Sequence, residues 1–130
     1  MDKGYILGGN GFNSPDIIKQ AGSAAEGILV GAAWHTSSTA PANAGFVAAF
    51  QQEYGSKPDQ FAAQAYTAVM LFAEAIRTSG GVNPSDIRDA LLKIRNLDTP
   101  LGRFSFDGRE PVHTAVVQIV RNGVFMLLGQ

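Results

Sequence analysis

The sequence predicts an α/β fold, and three observations carry that prediction. An apolar strand, a capped helix and a second apolar strand occupy residues 5–33. Three amphipathic helices follow, and after Pro100 the texture turns to β, with Asp107-Gly108 and Asn122-Gly123 between strand-like runs. A strand, helix, strand unit of this length predicts parallel pairing of its two strands.

Each element has its own local reason. Residues 5–7 read as a short buried strand that ends in Gly8-Gly9-Asn10-Gly11. Ser14 can cap the next helix through its hydroxyl, Pro15 suits the first helical position, and Asp16 favours the positive end of the helix dipole. The apolar run at residues 27–32, bounded by glycines, has the composition of a strand buried on both faces.

Residues 34–42 (WHTSSTAPA) are small, polar and aperiodic, as expected of a crossover or linker. From Pro41 to about Tyr54, Phe46, Val47, Phe50 and Tyr54 share a helical face, and Gly55 stops the helix. Asp59 can cap a second helix, in which Phe61, Ala65, Ala68, Val69, Phe72 and Ile76 have the spacing of a buried stripe. Gly80-Gly81 ends it. Asn83-Pro84 opens a third helix with Ile87, Ala90, Leu91 and Ile94 inward. In the last part, Asp-Gly and Asn-Gly suit type I′ turns, whose central residues both take positive φ, so a β-meander is expected.

Bulk composition narrows the function classes. A chain of 130 residues is long enough for one domain with a real core, and one compact unit is the default. Hydrophobic residues at 45% and charged residues at 16% exclude a disordered tail. No apolar run approaches the roughly 20 residues of a membrane span, so no direct membrane insertion is expected. Ten basic and eleven acidic residues are scattered and leave a formal charge of -1, which gives nucleic acid no positive stripe to bind. Without cysteine there is no disulfide framework, thiolate metal site or cysteine nucleophile. Met1-Asp2-Lys3-Gly4-Tyr5 lacks the basic and apolar segments of a secretory signal, so export of the chain as written is not expected.

The motifs point away from catalysis. Gly9-Asn10-Gly11 after a strand invites a dinucleotide reading, but Ser14 stands where that pattern needs its third glycine, and Phe12 would crowd a pyrophosphate turn. His35 and His113 are the only histidines and have no metal-ligand spacing. No nucleophile elbow or paired carboxylates accompany the glycine turns. The expectation is no catalytic residue, no metal and no cofactor. What remains is a glycine-rich strand end beside a helix N-terminus, where backbone N–H groups and a few side chains can meet a small polar ligand. The alternative is a tight turn with no ligand.

Several segments, in order and spacing, resemble the C-terminal part of the branched-chain amino-acid-binding (leucine/isoleucine/valine-binding-like) proteins: "ILGGNGFNSPDIIKQAGSAAEGILVGAAW", "FVAAFQQEYGSKPDQFAAQAYTAVMLFAEAIRTSGG", "DIRDALLKI" and "TPLGRFSFDGREPVHTAVVQIVRNG". That family comprises type I periplasmic solute-binding proteins of ABC importers. The resemblance implies a fragment, residues 1–130, of a two-lobe α/β fold whose ligand sits in the cleft between lobes. Residues 5–33 would belong to the C-terminal lobe, 34–42 to a crossover, 43–100 to helices of the N-terminal lobe, and 101–130 to the β-meander returning to the hinge. It further implies a periplasmic address, a small-molecule ligand, importer membrane subunits as partners of the full-length parent, and no enzymatic activity.

Carried over residue by residue, the resemblance places ligand contacts at Asn10, Gly11 and Phe12 and at Phe61 and Ala63. Family members that bind amino acids carry an acid at the position of Asn10, where it pairs with the ligand's ammonium group. Asn10 cannot supply that charge, and a charge-assisted hydrogen bond is roughly twice as strong as a neutral one. Either the ligand (an amino acid, an amide or an aromatic acid) lacks an ammonium group, or a carboxylate comes from elsewhere, or nothing is bound. Phe12 would stack on a ligand or pack beneath its loop, and Phe61 would line the cleft or join the core stripe. Trp34 is expected in the core or hinge and His35 at the surface. The family's Tyr-Asp-Ala is Tyr66-Thr67-Ala68 here. Faces that expect absent neighbours also imply a homo-oligomer or an exchange of elements between copies. A lobe fragment that assembles without binding a ligand is the alternative function.

Overall fold

A computed structural model describes residues 5–129. Strand β1 (Leu7–Gly8) runs through a 3₁₀ turn (Asn10–Phe12) into α1 (Pro15–Ala21), then through a second 3₁₀ turn (Gly22–Ala25) into β2 (Leu29–Ala32). The local signals at α1 act as expected: Ser14 Oγ accepts from the Asp16 N–H at 3.3 Å, and Pro15 opens the helix. β1 and β2 pair in parallel, Leu7 opposite Leu29 and Gly8 opposite Val30.

Residues 33–42 lead to α2 (Asn43–Tyr54), α3 (Gln60–Ser79) and α4 (Pro84–Leu91). Helix α2 begins two residues after the expected Pro41. Gly55 and Gly80 close α2 and α3 with φ of 67° and 72°, the left-handed conformation that glycine adopts without strain. Asp59 caps α3 by accepting from the Ala62 N–H at 2.9 Å. Asn83 flanks α4 without a side-chain cap, because its Nδ2 is turned toward Asp86 Oδ2 at 3.2 Å. On the surface of α3, Arg77 bonds Glu74 at 2.6 Å and holds that carboxyl below its usual range.

The C-terminal third departs from a single meander. Strands β3 (Leu97–Thr99), β4 (Gly102–Asp107) and β5 (Glu110–Val112) form one antiparallel sheet. Strands β6 (Val116–Arg121) and β7 (Val124–Leu127) join β1 and β2 in another, with order β1-β2-β6-β7. The chain changes sheet at residues 113–115, where the Thr114 N–H donates to Leu101 O at 3.2 Å instead of continuing the ladder. Asn122 and Gly123 have φ of 52° and 73°, as a type I′ turn requires. In the β4–β5 hairpin only Gly108 is positive (φ 58°), because Asp107 pairs with Glu110 and the loop is Gly108-Arg109.

Two apolar clusters replace the single core expected from length. Trp34, Phe46, Ala63, Leu71, Ile94, Leu101 and Phe104 form one; Ala25, Ile28, Val30 and Val120 form the other. β2 is buried on one face only: Val30 and Ala32 are inside while Gly31 is exposed. The strand foreseen at residues 5–7 is shifted and open, with Tyr5 81% and Leu7 76% exposed, since β1 is an edge paired on one side.

Helix α3 gives the largest correction. Its buried face is Gln60, Ala63, Thr67, Leu71 and Ala75, whereas Phe61, Ala65, Ala68, Val69, Phe72 and Ile76, the stripe expected inside, lie on the exposed side. The helix is apolar on two faces, and spacing reveals a face without saying which neighbour exists to cover it.

Candidate functional site

The turn after β1 is held by its own glycine. Phe12 lies across Gly8, and a Cβ added there would meet Phe12 Cγ at 2.7 Å, so this close approach needs glycine. Phe12 remains 43% exposed, which leaves part of its ring open to a neighbour.

Gln60, at the start of α3, fixes this turn to the rest of the chain. Its Oε1 accepts from Asn13 Nδ2 and from the Ala33 N–H, each at 2.8 Å, and its Nε2 donates to the Asn10 carbonyl oxygen at 3.2 Å. The residue is 2% exposed, so its amide is largely shielded from water and relies on these bonds. Three segments distant in sequence meet at this one amide. Nothing in the local pattern marked Gln60; the only signal was a polar residue directly after the Asp59 cap.

Gln118 plays a related part across β6. Its Nε2 donates to Trp34 O at 2.9 Å, while Oε1 is buried without a partner among the described residues. Trp34 is 3% exposed, and its Nε1 donates to Asn43 Oδ1 at 2.7 Å, so it is a core residue as expected. His35 is half-buried rather than at the surface, with Nε2 3.4 Å from Phe125 O.

The Asn10 turn, fixed by Gln60, borders an open concavity of about 530 Å³. Asn10 stands on one side, Gln64 of α3 and His113 on others, and Gly31–Ala33 with Ala115–Val117 make the floor. The floor is therefore the place where the chain crosses between its two clusters. Of the residues expected from sequence, Asn10 lines it. Gly11 and Phe12 belong to the same turn and are exposed. Phe61 is 43% exposed but does not line the concavity, and Ala63, fully buried in the larger cluster, is closed to any ligand. Gln64 and His113 were not foreseen: Gln64 lies four residues after Gln60 and so on nearly the same face of α3, and His113 sits in the break between sheets.

The lining carries no carboxylate and no lysine or arginine. Its polar ends are two side-chain amides and one imidazole. The His113 ring stacks on Phe104 (centroids 5.5 Å apart, planes at 17°), and Nδ1 lies 2.8 Å from Thr114 O. A carbonyl oxygen only accepts, so Nδ1 carries the hydrogen and Nε2 of the neutral ring is an acceptor. No group of three or more His, Cys, Asp or Glu side chains among the described residues could hold a metal ion. No helix among them is long and apolar enough to cross a membrane.

The family described as periplasmic binding protein matches residues 1–123. Among solved structures, a leucine binding protein, LivK, from Thermotoga maritima superposes with a TM-score of 0.90 at 29% identity, over 98% of this chain and 37% of that one. LivJ from Streptococcus pneumoniae, a branched-chain amino acid transporter substrate binding protein in complex with isoleucine, gives 0.83 at 31% identity, over 97% and 37%. A solute binding protein of an ABC transporter from R. palustris, in complex with benzoate, gives 0.77 at 25% identity, over 95% and 35%. The elements and their arrangement are those of the type I periplasmic binding protein fold. The chain spans little more than a third of these structures. No curated protein sequence matches it.

Proposed function

The chain belongs to the periplasmic binding protein family, and we propose that it supplies part of a cleft that captures a small organic solute outside the cytoplasm for an ABC importer. The observation that carries this reading is the tie from Gln60 to the Asn10 turn, because it holds Asn10 beside α3 and brings Asn10 and Gln64 to one concavity. Asn10, Gly11 and the exposed part of Phe12 contact the solute from one side, and Gln64 and His113 from the others. Phe61 would reach it only from the outer side of α3. Ligand candidates are an amino acid, an amide or an aromatic acid. Lobe assignments follow the same reading: residues 5–33 and 101–130 to the C-terminal lobe and hinge, 34–42 to a crossover, and 43–100 to the N-terminal lobe.

Binding by this chain alone is expected to be weak, since an open concavity encloses little of a ligand. A thermal-shift panel of branched-chain amino acids, amides and aromatic acids tests the proposal. A compound binding only the folded state stabilises by about 2.7 kcal/mol at a hundredfold excess over its dissociation constant. A shift abolished by Gly11→Trp supports the site; no shift from any compound at millimolar concentration overturns it for this chain.

A second reading, an assembly module that pairs with copies of itself, is favoured by one observation. The accessible surface is 8451 Å², against about 6,600 Å² expected for a compact chain of this mass, an excess roughly twice the ~800 Å² that one partner contributes to a standard protein interface. The exposed side of α3, with Val69 68% and Phe72 53% exposed, is the natural contact. A monomer mass by light scattering at micromolar concentration would remove this reading.

A further inference from the structure

Resting on the ligand-binding reading above, we propose that the group held between Asn10, Gln64 and His113 is a neutral carboxamide, and that His113 is a specificity-determining contact for it. The argument is a matching of donors and acceptors. The amides of Asn10 and Gln64 each bring one oxygen acceptor and one NH₂ donor group. With Nδ1–H committed to Thr114 O, His113 adds the Nε2 lone pair to the concavity it lines. Among the described residues neither side-chain amide has a hydrogen-bond partner; the backbone oxygen of Asn10 accepts from Gln60 Nε2 and from the Asn13 N–H.

A lining that mixes donors and acceptors and carries no formal charge favours a ligand group with the same mixture. A carboxylate only accepts: it could take the Asn10 and Gln64 NH₂ groups but finds no hydrogen on Nε2 of His113 and leaves that acceptor unused. An ammonium group only donates, and would be drawn from water with no counter-charge in this lining. A carboxamide does both: its NH₂ can reach Nε2 of His113 and one side-chain oxygen, and its carbonyl can accept from a side-chain NH₂. The apolar floor of Ala32, Ala33, Val116 and Val117 suits the hydrocarbon part of such a molecule.

Three probes with one carbon skeleton separate the possibilities: 4-methylpentanamide, 4-methylpentanoate and leucine. Each is titrated into the isotope-labelled chain above the ordinary imidazole titration range, following the side-chain NH₂ resonances of Asn10 and Gln64, a readout that reaches millimolar affinities. The expected result is movement of both NH₂ pairs by 4-methylpentanamide, with half-saturation at a concentration at least tenfold below the other two. His113→Phe keeps an aromatic ring on Phe104 and removes the nitrogen, and is expected to weaken the amide about tenfold while leaving 4-methylpentanoate unchanged. Tighter binding of leucine or 4-methylpentanoate, or an unchanged amide affinity in His113→Phe, overturns the inference and leaves the solute-binding reading standing. If none of the three moves the Asn10 and Gln64 resonances, both fall.

Discussion

Gln60 donates through its side-chain Nε2 to the backbone carbonyl of Asn10, fifty residues earlier, at 3.2 Å. With the same amide accepting from Asn13 and Ala33, the start of α3 is bonded to the turn that presents Asn10. Replacing Gln60 by Met leaves the buried Asn13 amide and the half-buried Ala33 N–H without their acceptor, while the Asn10 carbonyl still accepts from the Asn13 N–H; an unsatisfied buried group costs about 1–3 kcal/mol. The expected loss is about 2–4 kcal/mol, some contacts being recovered by water. Gln118→Met removes one bond but also removes an oxygen that already lacks a partner, so it is expected to cost about 1 kcal/mol. Urea unfolding of the two variants checks the order; equal losses would refute the hub role of Gln60.

Thr67 makes the opposite case. It is 1% exposed in the middle of α3, and its Oγ1 has no partner among the described residues. Thr67→Val keeps the shape, removes the unpaired hydroxyl and is expected to stabilise by about 1 kcal/mol. The measurement is the midpoint of urea denaturation at unchanged slope; a lower midpoint contradicts it.

Two glycines are fixed by side chains and not by turn chemistry alone. Gly102 has φ 95°, and a Cβ there would collide with Thr114 Oγ1, the residue after His113. Gly102→Ala is therefore expected to destabilise by about 2 kcal/mol or more and to shift the His113 ring resonances. Gly8→Ala is expected to be costly with Phe12 present and nearly neutral in a Phe12→Gly background, since the clash is with Phe12 Cγ at 2.7 Å and Cβ at 2.8 Å and that background lacks both. A double-mutant cycle with no coupling would show that the clash is relieved elsewhere.

The exposed side of α3 supplies a test of assembly. Val69→Lys with Phe72→Lys places two charges on positions that are already exposed, so folding stability is expected to change by less than about 0.5 kcal/mol. If copies pair through this side, the double variant runs as a monomer by size exclusion with light scattering while the parent does not. An unchanged mass distribution removes α3 as the contact.

The features legible in the sequence are those settled within a few residues. Ser14-Pro15-Asp16, Asp59, Gly55, Gly80 and Asn122-Gly123 each act through a neighbour two to four positions away, so the pattern contains the whole cause. Asn10 was singled out through resemblance, and it lines the concavity. What escaped depends on distant partners. Gln60 and Gln118 are polar residues buried by pairing across the chain, which no period reveals. Ala63, small enough to suggest room for a ligand, is small because Trp34 and Phe46 crowd the same cluster. The stripe on α3 was visible, but its cover is not among the described residues. The break at residues 113–115 interrupts a run of β-forming residues without a glycine or proline, and so left no mark.

Strand β2 pairs with β6 so that Ala32 lies opposite Val116. Seen as a hairpin, this pair has residues 33–115 as its loop, and everything in the larger apolar cluster is contained in that loop. Closing a long loop is entropically slow unless the loop has first condensed. The insert is therefore expected to gain structure first and the β2–β6 ladder last, with Trp34 fluorescence changing before the amides of Val30 and Gln118 become protected from exchange. The floor of the concavity, being the last seam to close, would then also be the first to open, which makes the site a product of the final step of folding.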